Sequence, residues 1–151
     1  MSVSHPQYLR LVRVSAWYDL LVTAGFTTPW TYHLTHAALS SLGTALHLGP
    51  LPPTTPLQTL YANLMASVVV IWAVLRIRHA LPLHGLYDGA ARVLFSTWLA
   101  YALTHGIKVL WLFLVVEAAF GIAQLLPWRH SRTDRAAPLT RPSRCRVHLD
   151  R

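Results

Sequence analysis

Four apolar stretches, each about 20 residues long, are the feature that most constrains this chain of 151 residues. They cover about residues 11–31, 57–75, 86–104 and 107–127. An α-helix rises about 1.5 Å per residue, so each stretch is long enough to span the roughly 30 Å hydrocarbon core of a bilayer. Charged residues make up only 12% of the chain, about half their usual share in soluble domains. The sequence therefore predicts an all-α, integral membrane four-helix bundle.

Ionisable residues lie inside these apolar stretches. Three of the five acidic residues, Asp19, Asp88 and Glu117, are placed there together with one base, Arg92. A charge in hydrocarbon costs several kcal/mol, so such residues usually face the bundle interior and pair with one another. Counting the helical rise from the cytoplasmic boundary brings Asp19 and Arg92 to the same depth, with Asp88 one turn away. We therefore expect Asp19, Asp88 and Arg92 to form one cluster.

Two interpretations of this cluster stay open. It is either a structural clamp between helices or a site that binds a polar substrate or passes protons. Glu117 has no base at its predicted depth, so we expect it to be protonated at neutral pH. In the second stretch, Asn63 and Ser67 lie on one helical face. The candidate ligand or proton site therefore comprises Asp19, Asn63, Asp88, Arg92 and Glu117.

The distribution of positive charge predicts the topology. Arginines flank the stretches at one side of the membrane, at Arg10 and Arg13, at Arg76 and Arg78, and at the start of the C-terminal tail, whereas residues 32–56 carry no charge. The positive-inside rule then places both termini in the cytoplasm. A cleaved secretory signal is the alternative for the N-terminus, but Asp19 in the middle of its apolar run argues against it.

Three regions outside the spans are predicted from composition. Residues 33–47 place His33, His36, Ser40, Thr44 and His47 on one helical face, which predicts an amphipathic helix in the outer interface. Residues 1–10 are a short cytoplasmic N-terminus. Residues 128–151 contain seven arginines, and we expect a disordered tail attracted to anionic lipid head groups. No nucleic-acid motif accompanies this charge, so a nucleic-acid partner is not predicted.

The nine histidines raise the question of a metal or haem. His33 and His36 are one turn apart, and His105 is predicted on the same side of the membrane, so these three are the candidates for a metal site. The spans lack the mid-span histidine pair that a buried haem needs, and the chain has no Cys-x-x-Cys-His motif. No motif therefore implies a cofactor. Phosphate loops and nucleophile elbows are also missing. The sequence therefore favours a role other than that of an enzyme and leaves the question open.

The layout of the chain resembles that of the DoxX-like and BphX-like small bacterial membrane proteins. The run Tyr8–Arg13 leads into the first of four spans, and the resemblance covers residues 8–128. Some members of those families are small subunits associated with quinone-linked oxidoreductases, which the resemblance implies as one role for this chain. The long outer segment and the arginine-rich tail depart from the family pattern, and no catalytic residues can be carried over.

Together with this resemblance, these observations predict a protein of the bacterial inner membrane that is an accessory or small subunit of a membrane complex, with a buried polar cluster. Its expected partners are the lipid bilayer and either other membrane subunits or a second copy of the chain. A small proton-coupled carrier is the first alternative, and a quinone- or haem-associated redox protein is the second. The carrier requires its intramembrane charges to border a cavity, whereas a purely structural cluster would be sealed in its own hydrogen bonds.

Overall fold

The structure is a computed structural model that describes residues 5–135 of the chain. Five α-helices follow one another: α1 (His5–Ala24), α2 (Pro29–Ala45), α3 (Pro56–Arg78), α4 (Pro82–Thr104) and α5 (Trp111–Arg135). A short 3-10 helix, Lys108–Leu110, leads into α5. Within residues 5–135 no strand is present, and the prediction of an all-α protein is confirmed.

Local capping signals decide where three of the helices begin. α2, α3 and α4 each start with a proline in the first turn, where its missing N–H group costs no hydrogen bond. Thr28 and Thr55 cap α2 and α3 through capping boxes with Thr31 and Gln58, which satisfy backbone groups that the helix leaves unpaired. The first apolar stretch, predicted to run to residue 31, is therefore broken after Ala24 and restarts as α2.

The other boundaries differ from the prediction at both ends of the chain. α1 begins at His5, so much of the segment predicted as an N-terminal tail is helical. α5 continues to Arg135, beyond the predicted end of the fourth span at residue 127. The first part of the predicted C-terminal tail is thus also helical. Residues 1–4 and 136–151, the latter including most of the predicted disordered tail, lie outside the described residues.

The four long helices are arranged as two pairs. α1 packs mainly on α3, and α4 packs mainly on α5, while the pairs meet where α1 approaches α4 and α5. α3 and α4 are consecutive but hardly approach each other. One aromatic contact joins them near the connecting turn, where the ring centroids of Trp72 and His84 are 5.3 Å apart. α3 and α4 therefore diverge away from that turn, and the interior between the pairs widens towards α2.

α2 lies across this wider end and contacts α3 and the 3-10 helix. Its polar face is bonded to the proline-rich connector: His36 Nε2 lies 3.0 Å from the Pro52 carbonyl oxygen, and Leu51 N–H donates to Ser40 Oγ at 3.1 Å. Its apolar face is exposed, with Leu34 at 72%. In residues 33–47 the polar face of the amphipathic pattern therefore binds the connector, and the apolar face exposes leucine side chains.

The distribution of apolar and charged side chains is the reverse of that in a soluble protein. The largest fully buried side chains in the described part of the chain include Arg76, Arg92 and Gln124. Large apolar side chains point outwards, such as Leu21 at 73% and Ile71 at 72% exposure. Soluble monomers bury such leucines and isoleucines and almost never bury an arginine fully.

Two helical segments, Pro56–Arg78 and Lys108–Pro127, are long and apolar enough to cross a membrane by length and composition. The first and third predicted spans, now α1 and α4, do not meet the same test. Charged residues explain this, because α1 contains Arg10, Arg13 and Asp19 and α4 contains Asp88 and Arg92. The structure thus supplies two candidate spans, and the four-span membrane topology stays a prediction.

A substitution at Gly85 can test the contact between α1 and α4. A Cβ atom there would lie 2.8 Å from Tyr8 Cζ and 2.8 Å from Val12 Cγ2, and Tyr8 is held because its hydroxyl donates to the Gln124 carbonyl oxygen at 3.0 Å. We expect Gly85→Ala to lower the free energy of unfolding by about 1–3 kcal/mol through overpacking, measured by unfolding in detergent.

The control is Gly121→Ala, whose nearest contact, Arg92 Cβ, is 3.3 Å away and which should be better tolerated. In an open helix, alanine stabilises by about 1 kcal/mol relative to glycine. A more stable Gly85→Ala variant would therefore contradict the close α1–α4 packing.

Candidate functional site

Five charged side chains meet inside the bundle, and we call them the ion cluster. α1 contributes one acid, α3 one base, α4 an acid and a base, and α5 one acid, so every long helix supplies at least one member. The members are Asp19, Arg76, Asp88, Arg92 and Glu117.

Arg92 is the centre of the ion cluster. Its Nη2 atom lies 2.8 Å from both carboxylate oxygens of Asp19, its Nη1 donates to Glu117 Oε2 at 2.7 Å, and its Nε donates to Asp88 Oδ2 at 3.2 Å. The guanidinium group also lies over the ring of Phe120, 5.0 Å from the centroid. The flat, multidentate donor set of arginine makes this possible, since a lysine offers one point charge. One side chain thus joins α1, α4 and α5.

Arg76 brings α3 into the same network. Its Nη2 donates to Asp19 Oδ2, its Nη1 lies 2.5 Å from Asp88 Oδ2, and its side chain is fully buried. The sequence analysis treated Arg76 as a cytoplasmic flanking charge, and that interpretation is wrong. The spacing along α3 indicates the interior position of Arg76. Thr59, Ala66 and Ala73 recur every seven residues on the buried face of α3, and Arg76 follows Ala73 by one helical turn on that face.

Neutral polar groups complete the bonding around Asp88. Gln124 Nε2 donates to Asp88 Oδ2 at 2.7 Å and to Ser15 Oγ at 2.8 Å. Ser15 in turn receives a hydrogen bond from Arg76 Nη1 at 3.3 Å. Asp88 is therefore enclosed by donors from α1, α3, α4 and α5, and its side chain is only 5% exposed.

The structure brings four of the five predicted site residues together and leaves one apart. Asp19, Asp88 and Arg92 are in contact, and Glu117 joins them through Arg92. The expectation that Glu117 has no base at its depth is wrong, because depth counted on the backbone ignores how far an arginine side chain reaches. Asn63 is separate: its Nδ2 donates to the Phe26 carbonyl oxygen at 2.7 Å and ties α3 to the break after α1.

The three histidines that the sequence left as metal candidates are not grouped as ligands. His36 is bonded to the connector at Pro52, and His105 Nδ1 lies 2.9 Å from the Tyr101 carbonyl oxygen. Among the described residues, no three histidine, cysteine or acidic side chains are grouped so that they could hold a metal ion. His33, His36 and His105 therefore stay candidates from the sequence alone.

An interior cavity of about 600 Å³ lies between the two helix pairs, on the α2 side of the ion cluster. Asp19 and Glu117 border its inner end, where their side chains are 11% and 13% exposed. The rest of the wall is mostly apolar and includes a group of aromatic rings from α1, the α1–α2 turn, α2, α4 and α5: Tyr18, Phe26, Tyr32, Phe95, Trp98 and Phe113. The cavity thus combines an apolar body with one acidic end.

The walls that α3 and α4 give to the cavity include exposed residues. Two of its lining residues are also strongly exposed on the outer surface of the molecule, Met65 of α3 at 60% and Trp98 of α4 at 64%. They lie on the two helices that diverge from each other. A molecule next to the apolar surface could therefore enter between α3 and α4.

A second concavity, of about 790 Å³, runs along the outside of the α4–α5 pair. Arg92, Ser96 and Glu117 line it, and the buried Ser96 Oγ has no hydrogen-bond partner. Glu117 borders this groove and the interior cavity alike. The Arg92–Glu117 ion pair therefore lies between the two spaces.

Comparison of the chain with protein families, curated proteins and solved structures finds no match. The resemblance to DoxX-like and BphX-like proteins thus stays a prediction from the sequence layout.

Removing Arg76 should test the ion cluster. Arg76→Met leaves Asp19 and Asp88 buried without one of their two bases, and breaking a buried ion pair on one side typically costs about 3–5 kcal/mol. We expect a loss of that size in the free energy of unfolding, measured by denaturation in detergent.

Arg78→Met is the matched control, since it removes the same charge two residues later from an exposed position. It should change stability by less than about 0.5 kcal/mol. Equal stability of the two variants would contradict the interior position of Arg76.

Proposed function

We propose that this chain is an integral membrane protein that binds a small, mainly apolar molecule in the interior of its bundle and takes it up from the bilayer. In this proposal α1, α3, α4 and α5 cross a bacterial inner membrane, and α2 lies in the outer interface. Two features of the structure support this proposal, the apolar exterior and the lateral cavity.

The exterior supports the membrane location. Leu21, Val68 and Ile71 are each about 70% exposed, which in water would favour aggregation. The charges that lower the hydropathy of α4, Asp88 and Arg92, are buried in the ion cluster, so they would not face lipid. Burial and pairing are what intramembrane charges require.

The positions of the remaining bases support the orientation. Arg10 and Arg13 are exposed near the start of α1, and Arg78 is exposed at the end of α3. Because α3 runs antiparallel to α1, the end of α3 lies on the same side as the start of α1. These bases would therefore lie at one membrane face. The positive-inside rule assigns that face to the cytoplasm.

The interior cavity carries the functional part of the proposal. Its volume of about 600 Å³ is typical of small-molecule sites, which measure roughly 300–1,000 Å³ and combine apolar walls with a few polar groups. Its opening between α3 and α4 faces the side where lipid would lie. A carrier is the form of this function that the geometry favours, because Glu117 borders the cavity and the α4–α5 groove.

An accessory role in a membrane complex is the second candidate. It is favoured by the mutual bonding of Arg76, Asp19 and Asp88, which serves a structural clamp as well as a binding site. Co-purification from native membranes separates the two candidates, since a stoichiometric partner subunit would favour the accessory role. A redox role with haem would require visible absorbance of the purified protein.

Membrane integration can be tested with the single cysteine, Cys145. We expect the protein to stay in the membrane pellet after alkaline carbonate extraction, because its apolar helices would lie in lipid. An impermeant maleimide should label Cys145 in inside-out vesicles but not in intact spheroplasts. Extraction into the supernatant would contradict the membrane proposal, and labelling in spheroplasts would contradict the orientation.

Filling the cavity should abolish binding. Ala62 lines the cavity on α3, so Ala62→Trp should weaken binding of an uncharged, environment-sensitive aromatic dye at least tenfold in lipid nanodiscs. The dye's fluorescence is measured against empty nanodiscs to subtract partition into lipid.

Leu64→Trp is the control, since Leu64 lies two residues further along α3 and is 57% exposed. It should bind the dye like the unmodified protein. If Ala62→Trp and Leu64→Trp bound the dye equally well, the cavity would not be the binding site.

A further inference from the structure

The acidic end of the cavity specifies the charge of its ligand, an inference that rests on the proposed binding function. The cavity wall includes Asp19 and Glu117 but neither arginine of the ion cluster. Arg76 is fully buried, and Arg92 borders the α4–α5 groove on the other side. A molecule in the cavity therefore meets carboxylates, which only accept hydrogen bonds, and meets no guanidinium donor.

The charges of the ion cluster do not cancel. In the described interior there are three carboxyl groups, those of Asp19, Asp88 and Glu117, and two guanidinium groups, those of Arg76 and Arg92, so the acids are in excess by one charge when all three are ionised. Asp88 is the most enclosed acid, whereas Asp19 and Glu117 are the two that border the cavity. The excess negative charge therefore lies within reach of a ligand, and a buried charge is stabilised by a nearby opposite charge.

The acids that border the cavity retain capacity to accept further hydrogen bonds. A carboxylate offers about four lone-pair positions. The bonds found for Glu117 use Oε2 with Arg92, and those found for Asp19 come from the two arginines. A donor entering from the cavity side could thus bond to either acid while the arginine contacts stay in place.

The aromatic walls suit the same ligand. Tyr18 and Phe113 lie on the two helices that supply the acids, and Phe95 and Trp98 lie on α4 towards the lateral opening. Aromatic faces attract cations and also pack against apolar bodies. The wall is therefore compatible with a charged head at the acidic end and an apolar body along the path to the opening.

We infer that the interior cavity binds a lipophilic cation, such as an aromatic amine or a quaternary ammonium compound. Its positive group lies against Asp19 and Glu117, and its apolar body extends towards Met65 and Trp98 between α3 and α4. An anion would meet the carboxylates directly, and a neutral molecule would leave the excess charge uncompensated.

Three aromatic dyes of matched shape test this inference on the full chain in nanodiscs: a quaternary ammonium dye, its uncharged isostere and its sulfonate analogue. We expect the cationic dye to bind at least tenfold more tightly than the uncharged one, after subtraction of binding to empty nanodiscs. Glu117→Gln should remove most of this preference. Unfolding in detergent, compared with that of the unmodified protein, shows whether the variant is folded.

Asp134→Asn is the matched control. It makes the same change of charge on α5, roughly 25 Å from Glu117 by helical rise, and should preserve the preference for the cation. Phe113→Lys is the second test variant, since residue 113 lies one helical turn before Glu117 and lines the cavity. Its ammonium group should compete with the cationic dye and weaken its binding at least tenfold.

The outcomes separate the inference from the proposed function. If none of the dyes binds the unmodified protein, the binding function fails. If the uncharged or sulfonate dye binds as tightly as the cation, or if neither Glu117→Gln nor Phe113→Lys weakens cation binding, the inference is overturned and the binding function stands. A variant that does not unfold like the unmodified protein in detergent is set aside, and the other variant decides.

Discussion

The fold depends on two guanidinium groups that are held by three carboxylates inside an apolar shell. Removing one charge from water costs several kcal/mol even after relaxation, so each buried arginine requires close acidic partners. Arg92 joins α1, α4 and α5, and Arg76 adds α3. Displacing any of these helices would leave at least one charge unpaired. The ion cluster therefore fixes how the two helix pairs meet.

The ion cluster also divides the interior into two parts. On one side the helices are tightly packed, and Gly85 leaves just enough space for Tyr8 and Val12. On the other side α3 and α4 diverge, and a cavity of about 600 Å³ remains beneath α2. Asp19 and Glu117 lie at this division, so they serve the packing of the bundle and form one end of the cavity. The same carboxylates thus belong to the structural clamp and to the cavity of the proposed binding function.

Much of the ion cluster could be predicted from local spacing. The parts that could not be predicted depend on how far an arginine side chain reaches. Asp88 and Arg92 are one turn apart on the same helix, and Asp19 lies at a matching depth, so helical geometry suffices to group them. Arg76 lies one residue beyond the predicted span and was read as a flanking charge, although its side chain points inwards. Glu117 was expected to be unpaired because depth was counted on the backbone alone. That count leaves out the reach of an arginine side chain, which covers more than one helical turn. The break after Ala24 was also missed, since the apolar composition continues through it.

The sequence by itself determined the all-α class, the approximate helices and the polar face of each, because propensity, capping and periodicity act over a few neighbouring residues. Only the tertiary structure decided that α1 pairs with α3 and α4 with α5, that Arg76 is interior, and that a cavity separates α3 from α4. These features depend on the relative rotation and approach of helices that are distant in the chain. The charges in the sequence indicate that a polar interior exists. The packing of the helices determines which acid pairs with which base and which acids face the cavity.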